Sequence, residues 1–182
     1  MTILIPDTTD HSLNDPVKKK PSWEFITSRF SHFIAFGGGL GLSRYAPGTI
    51  GTLLAFPMYW FFSHYLDPII FLLLIDLLFI LGIYVCSVTG RALGAHDHGG
   101  MVWDETVAFL LILFFIPDNW LWQLAAFGLF RFFDIVKPQP IKYYDNKLRG
   151  GFGVMFDDLL AAFYTLLTLA VFKAFVLGDI YV

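Results

Sequence analysis

Two pairs of adjacent acidic residues are the clearest candidates for chemistry, because each pair opens into a long apolar run. Asp104 and Glu105 follow Met-Val-Trp, and Asp157 and Asp158 follow Val-Met-Phe. Carboxylates at the edge of a membrane segment are costly unless paired or bound to a cation, and they commonly mark function. The two pairs predict one shared cation site. The alternative is two solvated helix N-termini, where acids complement the helix dipole.

A third acid, Asp134, closes the next apolar run and lies three residues after Arg131. Residues at this spacing share one face of a helix, so an ion pair with Arg131 is one explanation for Asp134. The negative end of a helix disfavours a carboxylate, which favours an additional cation nearby. Pro138 and Pro140 end the helix and leave Lys137 at its C-terminal end.

A glycine-rich stretch at 37–52 ends on Pro-Gly-Thr at the start of another apolar run. Glycines let backbone amides approach a ligand closely, and a helix N-terminus presents unpaired N–H groups to an anion. This pattern indicates a phosphate-binding place at Gly48 and Thr49. Glycine-rich segments are also common at the start of membrane helices, so the pattern alone does not establish a phosphate site.

The elements that must position these residues are predicted to be membrane helices. Hydrophobic residues make up 57% of the chain, aromatic residues 19%, and the mean hydropathy is +0.65, all above the usual range of soluble domains. We predict an all-α, polytopic membrane bundle of about five short spans. Their predicted ranges are 50–66, 68–89, 102–116, 120–135 and 157–177. The single cysteine, Cys86, excludes an intrachain disulfide framework.

The N-terminal region is predicted to lie outside the bundle. Residues 1–22 are expected to form a mobile polar and basic tail, and residues 23–36 an amphipathic helix with apolar residues at 3, 4, 3 spacing. Behind Lys18-Lys19-Lys20, such a helix is expected in the membrane interface, where lysines attract anionic lipid. Packing of the helix against the bundle is the alternative.

The distribution of Lys and Arg predicts the orientation. Under the five predicted spans, every Lys and Arg except Lys173 falls on the side of the N-terminus. Basic residues accumulate in cytoplasmic loops, so this side is predicted to be cytoplasmic. The two acid pairs, Asp134 and Lys137 fall on the same side, which predicts one cytoplasmic active face.

Four segments together closely resemble the phosphatidylglycerophosphatase A family of bacterial inner membranes. They are APGTIGT at 46–52, VWDE at 102–105, FRFFDIVKPQP at 130–140 and GGFGVMFDD at 150–158. The resemblance runs from about 37 to 162, in order and at family-like spacing. One departure is Arg44, which stands where the family more often has proline after the serine.

The resemblance implies an all-helical, Mg²⁺-dependent lipid phosphatase that converts phosphatidylglycerophosphate to phosphatidylglycerol. Residues 37–182 would form its membrane-embedded phosphatase domain. The implied location is the bacterial inner membrane, multi-pass, with a cytoplasmic active face. The expected partners are the phosphatidylglycerophosphate substrate and anionic membrane lipid. We expect no nucleic-acid partner and no obligate protein partner.

The residue chemistry agrees with that expectation. Mg²⁺ prefers oxygen ligands, keeps several waters and is usually held by one or two carboxylates together with substrate phosphate. The metal-site candidates are Asp104, Glu105, Asp134, Asp157 and Asp158, and the catalytic candidates are Asp104, Glu105, Asp157, Asp158 and Lys137. The substrate-binding candidates are Thr49, Gly48, Arg44, Arg131 and Lys137. Whether the nucleophile is a metal-bound hydroxide or a carboxylate stays open.

Other functions fit the sequence less well. Cys86 and Arg91 bracket four residues, whereas a cysteine phosphatase loop needs five, and no Asp-x-Asp or Pro-Ser-Gly-His stretch occurs. A small cation transporter or channel, or a structural membrane subunit, is the alternative class. A transport path requires carboxylates near the bilayer centre. Only Asp76 is predicted there.

Overall fold

The computed structural model describes residues 21–177, except His96 and the side chains of Asn146, Val176 and Leu177. Nearly all of the predicted N-terminal tail, 1–22, therefore lies outside the described residues. Within them the chain is helical, with no β-strand. The helices are α1 (Trp23–Thr27), α2 (Phe30–Ala35), α3 (Pro47–Tyr65), α4 (Pro68–Leu93), α5 (Trp103–Phe115), α6 (Trp120–Val136), α7 (Ile141–Lys147) and α8 (Gly150–Phe172). A 3₁₀ segment, Gly37–Leu42, follows α2 and leads towards α3.

Two of the described helices are long and apolar enough to cross a bilayer, as judged by length and composition. They are Pro68–Leu93 and Gly150–Phe175, with mean hydropathies of 2.9 and 1.7 in their most apolar windows. Large apolar side chains also cover the outside, including Trp60, Ile69 and Ile80. The prediction of an all-α protein is confirmed for the described residues, and the two apolar helices suggest a membrane-associated protein. The number of five spans stays a prediction.

The helix ends follow from local sequence. Proline occupies the first position of α3 and α4, where its fixed φ suits a helix and its missing N–H costs nothing. Gly94 ends α4 in the left-handed conformation, at φ 66°. The side chain of Asn119 caps α6 by accepting a hydrogen bond of 2.9 Å from the N–H of Leu121. Lys137 ends α6 with φ 44°, directly before a proline.

Helix α5 forms the centre of the bundle. It contacts α3, α4 and α8, and its side chains from Thr106 to Leu110 are all buried. Small residues bring the neighbouring helices close: a β-carbon on Gly51 would lie 2.5 Å from Val102 Cβ, and one on Gly151 would lie 2.0 Å from the carbonyl oxygen of Ile83. Close backbone approach at small residues is typical of membrane helix packing. It fixes α5 and α8, which carry the two acid pairs.

Two predicted boundaries are wrong. Helix α8 begins at Gly150, so Asp157 and Asp158 lie two turns inside it and are not helix caps, and α7 occupies the predicted loop before it. The single helix predicted at 23–36 is divided into α1 and α2. The hydroxyl of Ser28 donates to the carbonyl oxygen of Phe25 at 2.6 Å, and Arg29 takes an extended conformation that ends α1.

Candidate active site

Three carboxylates from two helices meet at one end of the bundle. Asp104 and Glu105 lie in the first turn of α5, and Asp158 projects from α8. One oxygen from each lies within 4.8 Å of the other two. This group, the acidic centre, unites members of both acid pairs, as the sequence predicted.

The acidic centre is buried and short of partners. Asp104 is 6% exposed and Asp158 3%. Oδ1 of Asp104, Oε2 of Glu105 and Oδ2 of Asp158 are buried and have no hydrogen-bond partner among the described residues. Buried carboxylates without compensation are strongly unfavourable. An all-oxygen donor set with free oxygens therefore fits a hard divalent cation such as Mg²⁺.

Arg131 of α6 neutralises one side of the acidic centre. Its Nη1 lies 2.6 Å from Asp134 Oδ2 and 3.6 Å from Glu105 Oε1, and it donates to Thr52 Oγ1 at 3.4 Å. The predicted contact between Arg131 and Asp134 is confirmed. Asp134 is engaged by this arginine and does not belong to the group of three carboxylates. The buried Nε of Arg131 has no partner among the described residues.

Lys137 holds the other acid of α8. Its ammonium donates to Asp157 Oδ2 and, at 3.0 Å, to Asp145 Oδ1 of α7. Burial alone lowers the pKa of Lys137, but the carboxylates of Asp157 and Asp145 outweigh it, so its pKa is raised. The lysine is therefore charged at neutral pH and engaged by two acids. Asp157, 5% exposed, faces this lysine and is not one of the three grouped carboxylates.

The start of α3 lies against these side chains at Gly48. A β-carbon at this residue would lie 2.1 Å from Glu105 Oε1 and 3.1 Å from both terminal nitrogens of Arg131. Only glycine leaves that space, so Gly48 brings the α3 N-terminus directly to the acidic centre. The neighbouring Thr49 is half-buried. Arg44 is exposed and makes no ion pair or hydrogen bond with the described residues.

Three residues at the site were missed by the sequence reasoning. Thr52 donates to the carbonyl oxygen of Gly48 at 2.9 Å and accepts from Arg131. The hydroxyl of Thr106 lies 2.9 Å from the carbonyl oxygen of Gly51, which ties α5 to α3. The glycine-rich motif contained Thr52 and could have identified it. No local pattern marks Asp145 as the partner of a lysine eight residues earlier.

Comparison with known families agrees with this geometry. The family model described as Phosphatidylglycerophosphatase A matches residues 33–173. The chain belongs to the phosphatidylglycerophosphatase A family. This assignment makes it a phosphatase, and every candidate site residue lies inside the matched range.

Two relatives carry the family name. A phosphatidylglycerophosphatase A of Haemophilus influenzae is 46% identical over 155 residues, covering 85% of this chain and 92% of the relative. The phosphatidylglycerophosphatase A of Escherichia coli is 40% identical over 131 residues, covering 71% and 76%. Both matches cover most of the two chains compared.

A third relative differs in its name. A Bacteroides thetaiotaomicron protein that carries the proposed name phosphatidylinositol-3-phosphatase is 40% identical over 146 residues, covering 76% of this chain and 90% of the relative. No solved structure matches the chain. The phosphatidylglycerophosphatase A assignment supports the phosphatase prediction, and nothing in the comparisons supports a cation transporter or channel.

Proposed function

We propose that this protein is a Mg²⁺-dependent lipid phosphatase that hydrolyses phosphatidylglycerophosphate to phosphatidylglycerol and phosphate. The observation that carries the proposal is the acidic centre, in which one oxygen each of Asp104, Glu105 and Asp158 lies within 4.8 Å of the other two. Each of the three carboxylates also has a buried oxygen without a hydrogen-bond partner among the described residues. The substrate is proposed from the names of the Haemophilus and Escherichia relatives.

The acidic centre is the proposed place of the cation. Asp104, Glu105 and Asp158 would hold it, and their unpaired oxygens supply the negative charge that a divalent ion needs. When bound, Mg²⁺ supplies a Lewis acid for phosphoryl oxygens. Asp134 and Asp157, the other two predicted ligands, support the site in this proposal by orienting Arg131 and Lys137.

The α3 N-terminus and Arg131 form the proposed place of the phosphate. Gly48 and Thr49 lie in the first turn of α3, where backbone N–H groups lack partners within the helix. Arg131 lies beside Gly48, and its unpartnered Nε is a remaining donor for a phosphoryl oxygen. Charge that develops on the phosphoryl group during hydrolysis is stabilised best by donors already held in place.

Lys137 is proposed to contribute its charge from a distance. It is anchored between Asp157 and Asp145, so its role is to compensate the acids around the site and to hold α7 against α8. Arg44, exposed in the loop before α3, is proposed to guide the anionic headgroup towards the site.

For the membrane topology we propose five spans, formed by α3, α4, α5, α6 and α8, in the bacterial inner membrane. Successive helices then alternate in direction, so that the start of α3, the start of α5, the end of α6 and the start of α8 share one face. The basic residues near these ends support a cytoplasmic location for that face. The exposed apolar surface supports contact with lipid.

The proposed function is tested with purified protein and a panel of lipid phosphates. Phosphate release is measured from phosphatidylglycerophosphate, phosphatidic acid and phosphatidylinositol 3-phosphate, with Mg²⁺ and with EDTA. The highest kcat/KM is expected for phosphatidylglycerophosphate, with activity lost in EDTA and regained on adding Mg²⁺. Preference for phosphatidylinositol 3-phosphate would transfer the assignment to the activity named for the Bacteroides relative. Unchanged release in EDTA would refute the metal dependence.

A further inference from the structure

A polar cleft of about 590 Å³, separate from the acidic centre, lies between α1, α2 and the last turns of α4. Its polar lining consists of Ser28, Arg29, His32 and Arg91, and Phe25 contributes to its apolar wall. None of these residues belongs to the acidic centre or contacts it through a hydrogen bond or ion pair in the described part of the chain.

The charge of this cleft is positive and uncompensated. No carboxylate is among the residues that line it, and neither arginine takes part in an ion pair within the described residues. Arg91 donates from Nε to the carbonyl oxygen of Ser87 at 3.2 Å, which anchors its guanidinium and leaves the two terminal nitrogens for a ligand. Two guanidinium groups around one cleft repel each other unless an anion lies between them.

Side-chain contacts of His32 hold the wall of the cleft in place. His32 is 2% exposed, its Nδ1 lies 2.9 Å from Thr89 Oγ1 of α4, and its ring stacks on Phe25 with centroids 4.5 Å apart. These contacts fix α1 and α2 against α4. Burial and the nearby Arg29 lower the pKa of His32, so its ring is neutral and the cations of the cleft are the two arginines.

The lining is also divided by polarity. Phe25, Val88 and Ala92 provide apolar surface beside the arginines, and α4 is one of the two helices long and apolar enough to cross a bilayer. A ligand that fits both parts carries an anionic group at one end and hydrocarbon at the other. Guanidinium groups are suited to phosphate because their paired donors match its oxygens.

We propose that this cleft binds the phosphate group of an anionic phospholipid, with Arg29 and Arg91 on the phosphate and the acyl end against Phe25 and Val88. The site is separate from the acidic centre, so the lipid bound there is not the molecule undergoing hydrolysis. Free inorganic phosphate shares the same recognition chemistry and is the competing source of the anion.

The test measures lipid binding in EDTA, where the proposed hydrolysis does not run. Native mass spectrometry of the detergent-solubilised protein compares dioleoylphosphatidylglycerol with dioleoylphosphatidylcholine, for the wild type and for Arg29→Gln/Arg91→Gln. The matched control is Arg149→Gln, which removes an exposed arginine outside the cleft. Arg29→Lys/Arg91→Lys retains the charge but not the paired donors, and thermal unfolding establishes that each variant is folded.

The expected result is that the arginine-to-glutamine variant selectively loses binding of the anionic lipid. Arg29→Gln/Arg91→Gln should bind phosphatidylglycerol at least about ten-fold more weakly, because charge-assisted hydrogen bonds to phosphate are lost. Arg149→Gln should bind like the wild type, and the lysine variant should lie between. Phosphatidylglycerol bound at the acidic centre would be common to all variants and would not contribute to the difference.

Two results would overturn the proposal. Equal phosphatidylglycerol binding by the wild type and by folded Arg29→Gln/Arg91→Gln would remove the cleft as a site. Millimolar inorganic phosphate that displaces the lipid completely, with phosphatidylcholine and phosphatidylglycerol otherwise bound alike, would assign the cleft to a soluble anion. Phosphatidylglycerol binding that persists in phosphate but depends on the two arginines supports the lipid.

Discussion

Glu105 Oε1 lies 2.1 Å from the position that a β-carbon would take on Gly48. The carboxylate end of α5 and the start of α3 are therefore in contact at a residue where no side chain fits. Because Glu105 also faces Arg131, this contact sets the relative positions of the acidic centre, the guanidinium and the α3 N-terminus.

Gly48→Ala is expected to lower kcat by at least about 100-fold, the effect typical of losing one preorganised electrostatic contact. The added methyl group displaces Glu105 and Arg131 while the helix itself tolerates alanine. Gly128→Ala in α6 is the matched control, because no atom lies within 4 Å of its β-carbon position. Phosphate release and thermal unfolding of both variants are compared. Full activity of folded Gly48→Ala would contradict the role given to this contact.

Asp104→Asn, Glu105→Gln and Asp158→Asn are each expected to reduce kcat by at least about 100-fold and to raise the Mg²⁺ concentration for half-maximal rate. These three residues provide the free oxygens of the acidic centre. Asp67→Asn, at the exposed start of α4, is the control. Wild-type rates and an unchanged Mg²⁺ requirement in all three variants would exclude the acidic centre as the metal site.

Asp157→Asn is expected to behave differently from Asp158→Asn, although the two residues are adjacent. Asp157 bonds to Lys137 and lies outside the group of three carboxylates, so its substitution should leave the Mg²⁺ requirement unchanged while lowering stability. Magnesium titrations of the rate, with unfolding curves for both variants, make the comparison. A raised Mg²⁺ requirement for both would add Asp157 to the metal ligands.

Lys137→Met is expected to destabilise the protein more than Lys142→Met does. Lys142 is an exposed residue of α7. Loss of Lys137 leaves the buried Asp157 without its cation. In a double-mutant cycle with Asp157→Asn, the two substitutions should couple by about 0.5–3 kcal/mol, the range for residues in direct contact. Unfolding in detergent gives the four stabilities of the cycle. Additive effects would show that the ion pair contributes nothing net.

The cytoplasmic location of the active face is tested by thiol labelling in a Cys86→Ala background. Lys147→Cys and Ser63→Cys each place one exposed thiol, the first at the end of α7 and the second near the end of α3. In intact cells a membrane-impermeant reagent should label Ser63→Cys only, and both after lysis. Labelling of Lys147→Cys from outside would reverse the proposed orientation.

The sequence predicted which residues meet at the site better than it predicted the helix boundaries. Acid pairs beside apolar runs, the Arg131–Asp134 spacing and the glycine-rich start of α3 all indicated residues that meet in the structure. These signals are local and do not depend on how the helices pack.

Features that depend on packing or on competing local bonds were not predictable in the same way. The start of α8 is not predictable from local sequence, because the glycines at 150, 151 and 153 are poor helix formers in isolation, whereas here Gly151 and Gly153 let α8 pack closely against neighbouring backbone. Asp157 faces Lys137 while Asp158 faces the acidic centre, and this difference depends on how α8 is rotated about its axis. The break after α1 depends on the hydrogen bond of Ser28 to the backbone.

The shortness of α5 has a consequence for how such an enzyme would meet its substrate. Its 13 residues span about 20 Å, against a hydrocarbon thickness of about 30 Å. If α5 spans the membrane as proposed, the bilayer must thin around it or its acidic end must lie below the headgroups. Where the bilayer thins, the acidic centre and the lipid phosphate come to a similar depth. A phospholipid could then reach the site by lateral diffusion within its leaflet, without its acyl chains leaving the membrane.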